Sequence, residues 1–506
     1  MTYKVYSSTY SGLQCQLIEI EAEISSGLPG FIIVGLGDVG IHESRERIRA
    51  SIKHAGCQFP SQKKVVNLAP AEIRKQGAHF DLPIAISLLV SSQQLPGDKL
   101  QRSAFIGELS LSGELKPGAG ILAMVEHLKS QGFDRVFLSK ENAEEASYIP
   151  GIQVYGANNL KEIISYLRGE DRLKAAKSQS ISGLSCFDYS TNPFASIEGM
   201  EATKRALTIA AVGKHSFLLS GEPGCGKTVI CREFPKLLPP LTENQVLEIS
   251  KIYSVSGQLD SSQPLILTRP FRELHHTASP ISIIGGGGGH KPIPGEISLA
   301  HHGILFFDEI NEFPRIVLEA LRQPLEEKFI NLNRSKFATK FPCNFCLIAT
   351  SNPCPCGYFG SKEVECRCTE GQIRNYQRKL SGPILDRFDM TLKVPKTMMG
   401  DIFSKTNNTK SDLFPQILKT QQIQQERFKN DSSINSNSDM QIDHIRKYCQ
   451  LSTQAKSLLD KAANQFKFSN RAYLKIIKIS RSIADLDNAK TIDLAHISEA
   501  IQYRQA

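Results

Sequence analysis

The chain has 506 residues, a formal net charge of +9, 41% hydrophobic and 22% charged residues, length enough for about two to four domains, each with its own core. No apolar run approaches the roughly 20 residues of a membrane helix, and the opening "MTYKVYSSTYSG" lacks the basic-then-apolar pattern of a secretory leader, so no membrane partner and a cytoplasmic location are expected. Twelve cysteines without an export signal point to thiols or metal ligands rather than disulfides. The mild positive charge suits a polyanionic partner without requiring one.

In chain order, residues 1–168 show a mixed helix-and-strand pattern that ends in the amphipathic "NLKEIISYLRG". Residues 169–196 are polar and Ser-rich and read as a connector. Over 197–396 the apolar runs "HSFLLS", "GILFFDE" and "NFCLIATSN" read as buried parallel strands alternating with helices, which implies an α/β layer. Residues 397–440 are rich in Gln, Asn, Ser and Lys and read as a second connector, with helical spacing in "ILKTQQIQQERF" and a loop in "KNDSSINSNSD". Residues 441–506 carry apolar residues at i, i+3, i+4 spacing and form a small helical lid. The chain is thus read as multidomain α/β.

The stretch "GEPGCGKT" follows an apolar run and precedes a helical one, the context a phosphate-binding loop needs. Gly221, Gly224 and Gly226 let the backbone curl so that its N–H groups face a polyphosphate, with Glu222, Pro223 and Cys225 completing the cradle. Lys227 reaches the β- and γ-phosphates and Thr228 holds Mg²⁺, so ATP and Mg²⁺ are the expected cofactors. Asp308 and Glu309 end the strand "GILFFDE", the first to bind the metal through its water shell, the second to polarise attacking water. Asn352, at the tip of "NFCLIATSN", reads either as a group that positions that water or as a simple turn residue.

Arg387, between aspartates in "SGPILDRFD", reads as a surface ion pair or as a finger for a neighbouring subunit's phosphate. Arg471 opens a helix of the lid and reads as a contact to the γ-phosphate within its own subunit. Cys354, Cys356, Cys366 and Cys368 in "CPCGYFGSKEVECRC" offer four soft ligands in two pairs, suited to a closed tetrahedral Zn²⁺ site; the alternative is four reduced thiols in a loop. Cys343 and Cys346 are placed on one strand, facing opposite ways, as core thiols. The pairs His275/His276 and His301/His302 are expected to diverge, as neighbours on one element do, and to make polar contacts rather than bind metal. "IIGGGGGHKPIPG", with Lys291, reads as a mobile loop touching a nucleic-acid backbone or as a structural turn.

Together "GEPGCGKT", "RPFRELHHTAS", "PIPGEISLAHHGILFFDEINEF", "VLEALRQPLEE", "SNPCPCGYFG", "LSGPILDRFD" and "SNRAYLKIIKISRSIADL" resemble the magnesium-chelatase-like AAA+ proteins of the ComM/YifB type, and "GLPGFIIVGLGDVGIHESRERIRASI" with "VVNLAPAEIRKQGAHFDLPIAISLL" look like that family's N-terminal domain. The resemblance implies three parts: an N-terminal Lon-protease-like (ribosomal S5-type) α+β domain, a central AAA+ P-loop NTPase domain and a C-terminal helical lid. It implies a homohexameric ring with ATP sites at subunit boundaries, Arg387 as the trans-acting finger, Arg471 as the lid sensor and Asn352 as the strand sensor. It also implies a helicase that drives branch migration of DNA during integration in natural transformation. Cys225 stands where the family usually has Thr, and Glu273 and Leu274 where it tends to Ala-Pro. A Lon-type protease needs a Ser–Lys dyad; the region of the Ser reads Gly77, Ala78, His79, Phe80, Asp81, and the Lys region near Leu122 is apolar, so no peptidase is expected. The rival readings are a magnesium-chelatase ATPase subunit that remodels a partner protein, and a slowly hydrolysing scaffold.

Overall fold

The computed structural model describes residues 3–504 apart from 36–38, 74, 76, 185–191, 196, 198, 261, 287–291, 335–336, 381, 396–412 and 432–433. Alternation builds the first sheet: in "QCQLIEIEAEIS", strand β2 (Gln14–Ser25), Ile18, Ile20 and Ala22 point into the core while Glu19 and Glu21 face out toward Lys4. Strand β1 (Lys4–Ser11) pairs antiparallel with β2, and β2 antiparallel with β4 (Lys63–Ala69). Strand β3 (Gly30–Val34) lies parallel to β4. On the other side of β1, the strands β5 (Ser103–Phe105), β6 (Arg135–Ser139) and β7 (Gln153–Ala157) add in parallel, giving the order β3-β4-β2-β1-β5-β6-β7. The helix Asp81–Ser91, buried over ten of its eleven residues, packs on β1 and β2 and closes this core.

The second sheet is wholly parallel. Strands β8 (Phe217–Ser220), β9 (Phe271–Leu274), β10 (Ile304–Phe307), β11 (Cys346–Ser351) and β12 (Met390–Lys393) lie in the order β9-β10-β11-β8-β12. Its central strands are apolar throughout because both faces are covered. Phe217, Leu219, Ile304, Phe306 and Ile348 face one cluster, which they share with Ile476, Ile479 and Ile483 of the helix Asn470–Leu486. Leu218, Leu305, Phe307 and Leu347 face the other, with Ile310, Leu318 and Phe388. The "ILKTQQIQQERF" stretch lies in a helix, Leu413–Phe428, whose Ile417 and Phe428 join the first cluster. Cys343 lies just beyond the strand Phe337–Pro342 and Cys346 opens β11, so only Cys346 is on a central strand. Both are core thiols, and burial pushes the Cys343 thiol up to about 12.

The two sheets meet through the helix Glu243–Ser256, started by a capping box of Thr242 and Gln245. Its Lys251 Nζ lies 2.8 Å from Glu126 Oε2 on the helix Ile121–Ser130, its Ser254 Oγ donates to Glu145 Oε2 at 3.3 Å, and the Gly120 N–H donates to the Ser254 carbonyl at 3.0 Å. Val246 packs into the same cluster as Leu122, Val125 and Leu128. No helix among the described residues is long and apolar enough to cross a membrane.

Candidate nucleotide site

The residues of "GEPGCGKT" form the loop that joins β8 to the helix Lys227–Glu233. Gly224 and Gly226 have φ of +76° and +85°, left-handed positions that a side chain adopts only with strain, so glycine is what lets the loop curl. Lys227, only 7% exposed, donates to the carbonyls of Gly221 at 2.7 Å and Glu222 at 2.8 Å, and to Asn352 Oδ1 at 3.2 Å. Cys225 is buried beside Gly221, which accounts for an apolar thiol in place of a hydroxyl there.

Strands β10 and β11 bring four further groups to this loop. The Thr228 hydroxyl donates to Asp308 at 3.1 Å, Thr350 Oγ1 donates to Asp308 Oδ1 at 2.6 Å, and the Glu309 N–H donates to Thr350 Oγ1 at 2.9 Å. Asn352 Nδ2 donates to Glu309 Oε1 at 3.0 Å. Asn352 thus bridges the lysine and the glutamate, and Thr350, which the sequence pattern did not single out, ties the two acids together. Glu309 itself has φ +53°, a strained conformation for a non-glycine residue and the kind retained where a side chain must be aimed. A cavity of about 310 Å³ lined by Gly224, Lys227, Thr228, Asp308, Glu309 and Asn352 opens here. Its lysine, hydroxyl and carboxylate set fits a magnesium-bound triphosphate.

The two arginines are elsewhere. Arg387 precedes β12, beside Asp389, which accepts from the Ser216 N–H ahead of β8; this is the opposite edge of the sheet from the phosphate loop. Arg387 Nη2 lies 2.6 Å and Arg471 Nη2 3.1 Å from the same oxygen of Glu326. Both line a separate cavity of about 300 Å³. Burial lowers the Arg387 pKa against the pull of Glu326, and its Nε has no hydrogen-bond partner. Lys475 holds this corner, donating to the carbonyls of Arg387 at 2.9 Å and Phe388 at 3.0 Å and pairing with Asp389 at 2.9 Å. Arg471 thus stands with Arg387 in a cavity that none of the phosphate-loop residues lines.

The four cysteines converge next to the phosphate loop. Cys354 and Cys356 Sγ lie 3.4 Å apart, Cys354 and Cys366 3.7 Å, Cys356 and Cys366 3.6 Å, and all four sulfurs lie within 4.8 Å of one another. The backbone N–H of Tyr358 helps hold the Cys356 thiol down at about 6.

The His301/His302 pair departs from expectation. The left-handed backbone of His302, φ +55°, turns its ring onto that of His301, centroids 3.9 Å apart, and both Nε2 atoms meet Glu248 Oε2, at 3.3 and 2.6 Å. The Asn344 N–H donates to His301 Nδ1 at 3.0 Å, which leaves the ring proton on Nε2, pointing at the carboxylate. That nitrogen has no lone pair for a metal, and the cluster is a hydrogen-bonded clamp. Burial lowers the His302 pKa to about 4, so its ring donates to Glu248 as a neutral imidazole. The rings of His275 and His276 lie tilted to each other with centroids 4.4 Å apart, and His275 Nδ1 is 2.7 Å from Thr277 Oγ1. Glu273 pairs with Arg232 and Leu274 is buried, so the departure "EL" extends β9. Residues 287–291, Lys291 among them, lie outside the described residues; their flanks pair, Gly285 with Pro294 and Gly286 with Ile293.

A five-stranded parallel sheet with a phosphate loop after its first strand in sequence and an acidic pair after its third defines an AAA+ ATPase domain. Family profiles agree: "Magnesium chelatase, subunit ChlI" matches residues 193–402, "Subunit ChlI of Mg-chelatase" residues 20–142, and "Magnesium chelatase, subunit ChlI C-terminal" residues 408–504. The chain is 38% identical to competence protein ComM of Haemophilus influenzae, over 99% of this chain and 97% of the relative, and 37% identical to YifB of Escherichia coli, over 99% and 96%. A magnesium-chelatase 67 kDa subunit of Heliobacterium mobile is 27% identical over 46% of this chain and 38% of its own. The chain belongs to the magnesium-chelatase-like AAA+ family of the ComM/YifB type.

Proposed function

We propose that the chain is the subunit of an ATP-driven homohexameric ring in the cytoplasm that acts on single-stranded or branched DNA, a helicase promoting branch migration when incoming DNA is integrated in natural transformation. Support for a ring comes from Arg387 and Arg471, which line a cavity apart from their own phosphate loop; arginines for the phosphate must then come from a second copy. Support for DNA comes from similarity to a competence protein along nearly the whole chain, from the charge of +9, and from the glycine loop with Lys291. The chelatase alternative is favoured less, since the chelatase 67 kDa subunit aligns with under half of the chain.

Within the site Lys227 binds the β- and γ-phosphates, which take the place of its carbonyl partners, and Thr228 and Asp308 hold the Mg²⁺. The metal supplies charge neutralisation of the phosphates. Glu309 polarises the attacking water and Asn352 keeps Glu309 and Lys227 in register. Arg387 acts in trans on the neighbour's γ-phosphate, and Arg471, on the same corner, acts beside it rather than within its own subunit. Zn²⁺ occupies the four-cysteine site. The C-terminal helices serve as lid. Residues 1–168 serve as a Lon-like assembly platform without a protease dyad: Leu122 is enclosed in an apolar cluster, and Asp81 is held by Arg47 at 2.7 Å.

The test is ATP turnover with and without forked DNA, together with branch migration on a three- or four-way junction. Turnover that DNA leaves unchanged, with junctions that do not move, removes the DNA motor and leaves a scaffold ATPase.

A further inference from the structure

The four-cysteine loop lies against the nucleotide site. Asn352 is two residues from Cys354, and its side chain is the one that spans Lys227 and Glu309. Gly357, at φ +86°, sits so close to Pro223 of the phosphate loop that a β-carbon there would run into the proline ring. At the loop's far end Cys368 leads into Thr369, which caps the helix Glu370–Lys379. That helix returns Gln377 Nε2 to the Pro353 carbonyl at 3.2 Å, while its Tyr376 carbonyl accepts from Asn311, which in turn accepts from Ser351 at 2.6 Å.

Little apolar burial holds this loop in place. Between Asn352 and Thr369 only Cys354 and Gly357 are buried, while Phe359 and Val364 are exposed. A tetrahedral site with metal–sulfur bonds of about 2.3 Å has sulfur–sulfur edges of about 3.8 Å, and the edges among Cys354, Cys356 and Cys366 are 3.4, 3.6 and 3.7 Å. Four thiol groups at that spacing, with the Phe359 N–H also aimed at Cys354 Sγ at 3.3 Å, form a thiolate cage that a soft divalent cation balances.

Resting on the ATPase and zinc readings above, we propose that the metal held by Cys354, Cys356, Cys366 and Cys368 braces the nucleotide site: by fixing the 353–368 loop it positions Asn352 from one side and Pro223 from the other, so that metal occupancy sets nucleotide affinity. The coupling has two arms. One runs through the chain, Cys354–Pro353–Asn352; the other through packing, Gly357 on Pro223. Loss of the metal frees both, and the phosphate loop loses its outer wall.

The test uses the full-length protein. Zinc content is measured by elemental analysis and coordination by the absorption of the Co²⁺-substituted form. Affinity for a fluorescent ATP analogue is measured in saturating Mg²⁺ before and after mercurial displacement of the zinc, then after zinc is restored. One zinc per chain is expected, with affinity falling about tenfold or more on removal and returning on restoration. Cys366→Ser/Cys368→Ser should lose both metal and affinity. Gly357→Ala should keep the metal and still lose affinity, a readout that does not depend on whether the double variant folds. Zinc that comes and goes while affinity stays within about twofold overturns the brace and leaves the metal site standing. Absence of bound zinc overturns both. Failure of the zinc-loaded protein to bind the analogue at all overturns the ATPase reading instead.

Discussion

The two edges of the parallel sheet are built differently. At the C-terminal edge Lys227, Thr228, Asp308, Glu309, Thr350 and Asn352 form one connected hydrogen-bonded set from three strands of a single chain. At the other edge two arginines share one oxygen of Glu326, whose carboxylate is half exposed, and one of them keeps a buried Nε without a partner. Two cations on one anion leave excess positive charge in a partly closed cavity, an arrangement that suits a second anion brought from outside. The first edge is a closed hydrogen-bonded set; the second carries more cations than its shared anion balances.

The sharpest break of this contrast is Arg387→Ala. If Arg387 serves a neighbour, turnover should fall about 10³-fold or more while nucleotide binding is kept. Mixing this variant with Glu309→Gln, which retains its arginine, should restore part of the activity, and Arg471→Ala should behave alike in the same mixture. A mixture inactive at every ratio would remove the support for shared sites. Next in size, Lys227→Ala should weaken ATP binding about 100-fold, the worth of a lost charge-assisted hydrogen bond network; unchanged affinity by titration calorimetry would sink the phosphate-loop role. Thr350→Val keeps the volume and removes the hydroxyl between Asp308 and Glu309, so turnover should drop about tenfold with the fold intact; wild-type rates would show that the bridge is dispensable.

The smallest effect concerns the seam between the two sheets. Burial pushes the Glu145 carboxyl up to about 7, opposed by hydrogen bonds from Asn142 and Ser254. Because its folded value is raised, its contribution is fully present below the ordinary carboxylate range and is lost as pH rises through about 7. Between pH 6 and 8 the docking of the helix Glu243–Ser256 should weaken by about 1 kcal/mol. Glu145→Gln should flatten that slope in thermal melts; an unaltered slope would place the titration elsewhere.

Much of the nucleotide site was legible in the residues. The phosphate loop was, because left-handed backbone restricts its turns to glycine and a lysine must follow at fixed spacing. The acidic pair was, because it ends a run apolar on both faces, the mark of a buried parallel strand. Thr350 was not, because a threonine near the end of an apolar strand reads as β propensity until β10 is seen beside it. The histidine pair misled because side-chain divergence holds only for regular backbone, and His302 leaves it. The meeting of Arg471 with Glu326 was not legible, because position in the chain says where a helix starts and not what its first residues face.

The sequence alone therefore determined what is local: glycine-dependent turns, strand and helix periodicity, and ligand types at short spacing such as the two Cys-x-Cys pairs, all of which follow from steric limits and burial within a few residues. Only the tertiary structure decided that Cys354 to Cys368 close up against Pro223, that Arg387 and Arg471 meet on Glu326, and that both line a cavity apart from that of Lys227. Those distances join residues far apart in the chain, and they are set by which apolar faces pack together, a choice that no single segment encodes.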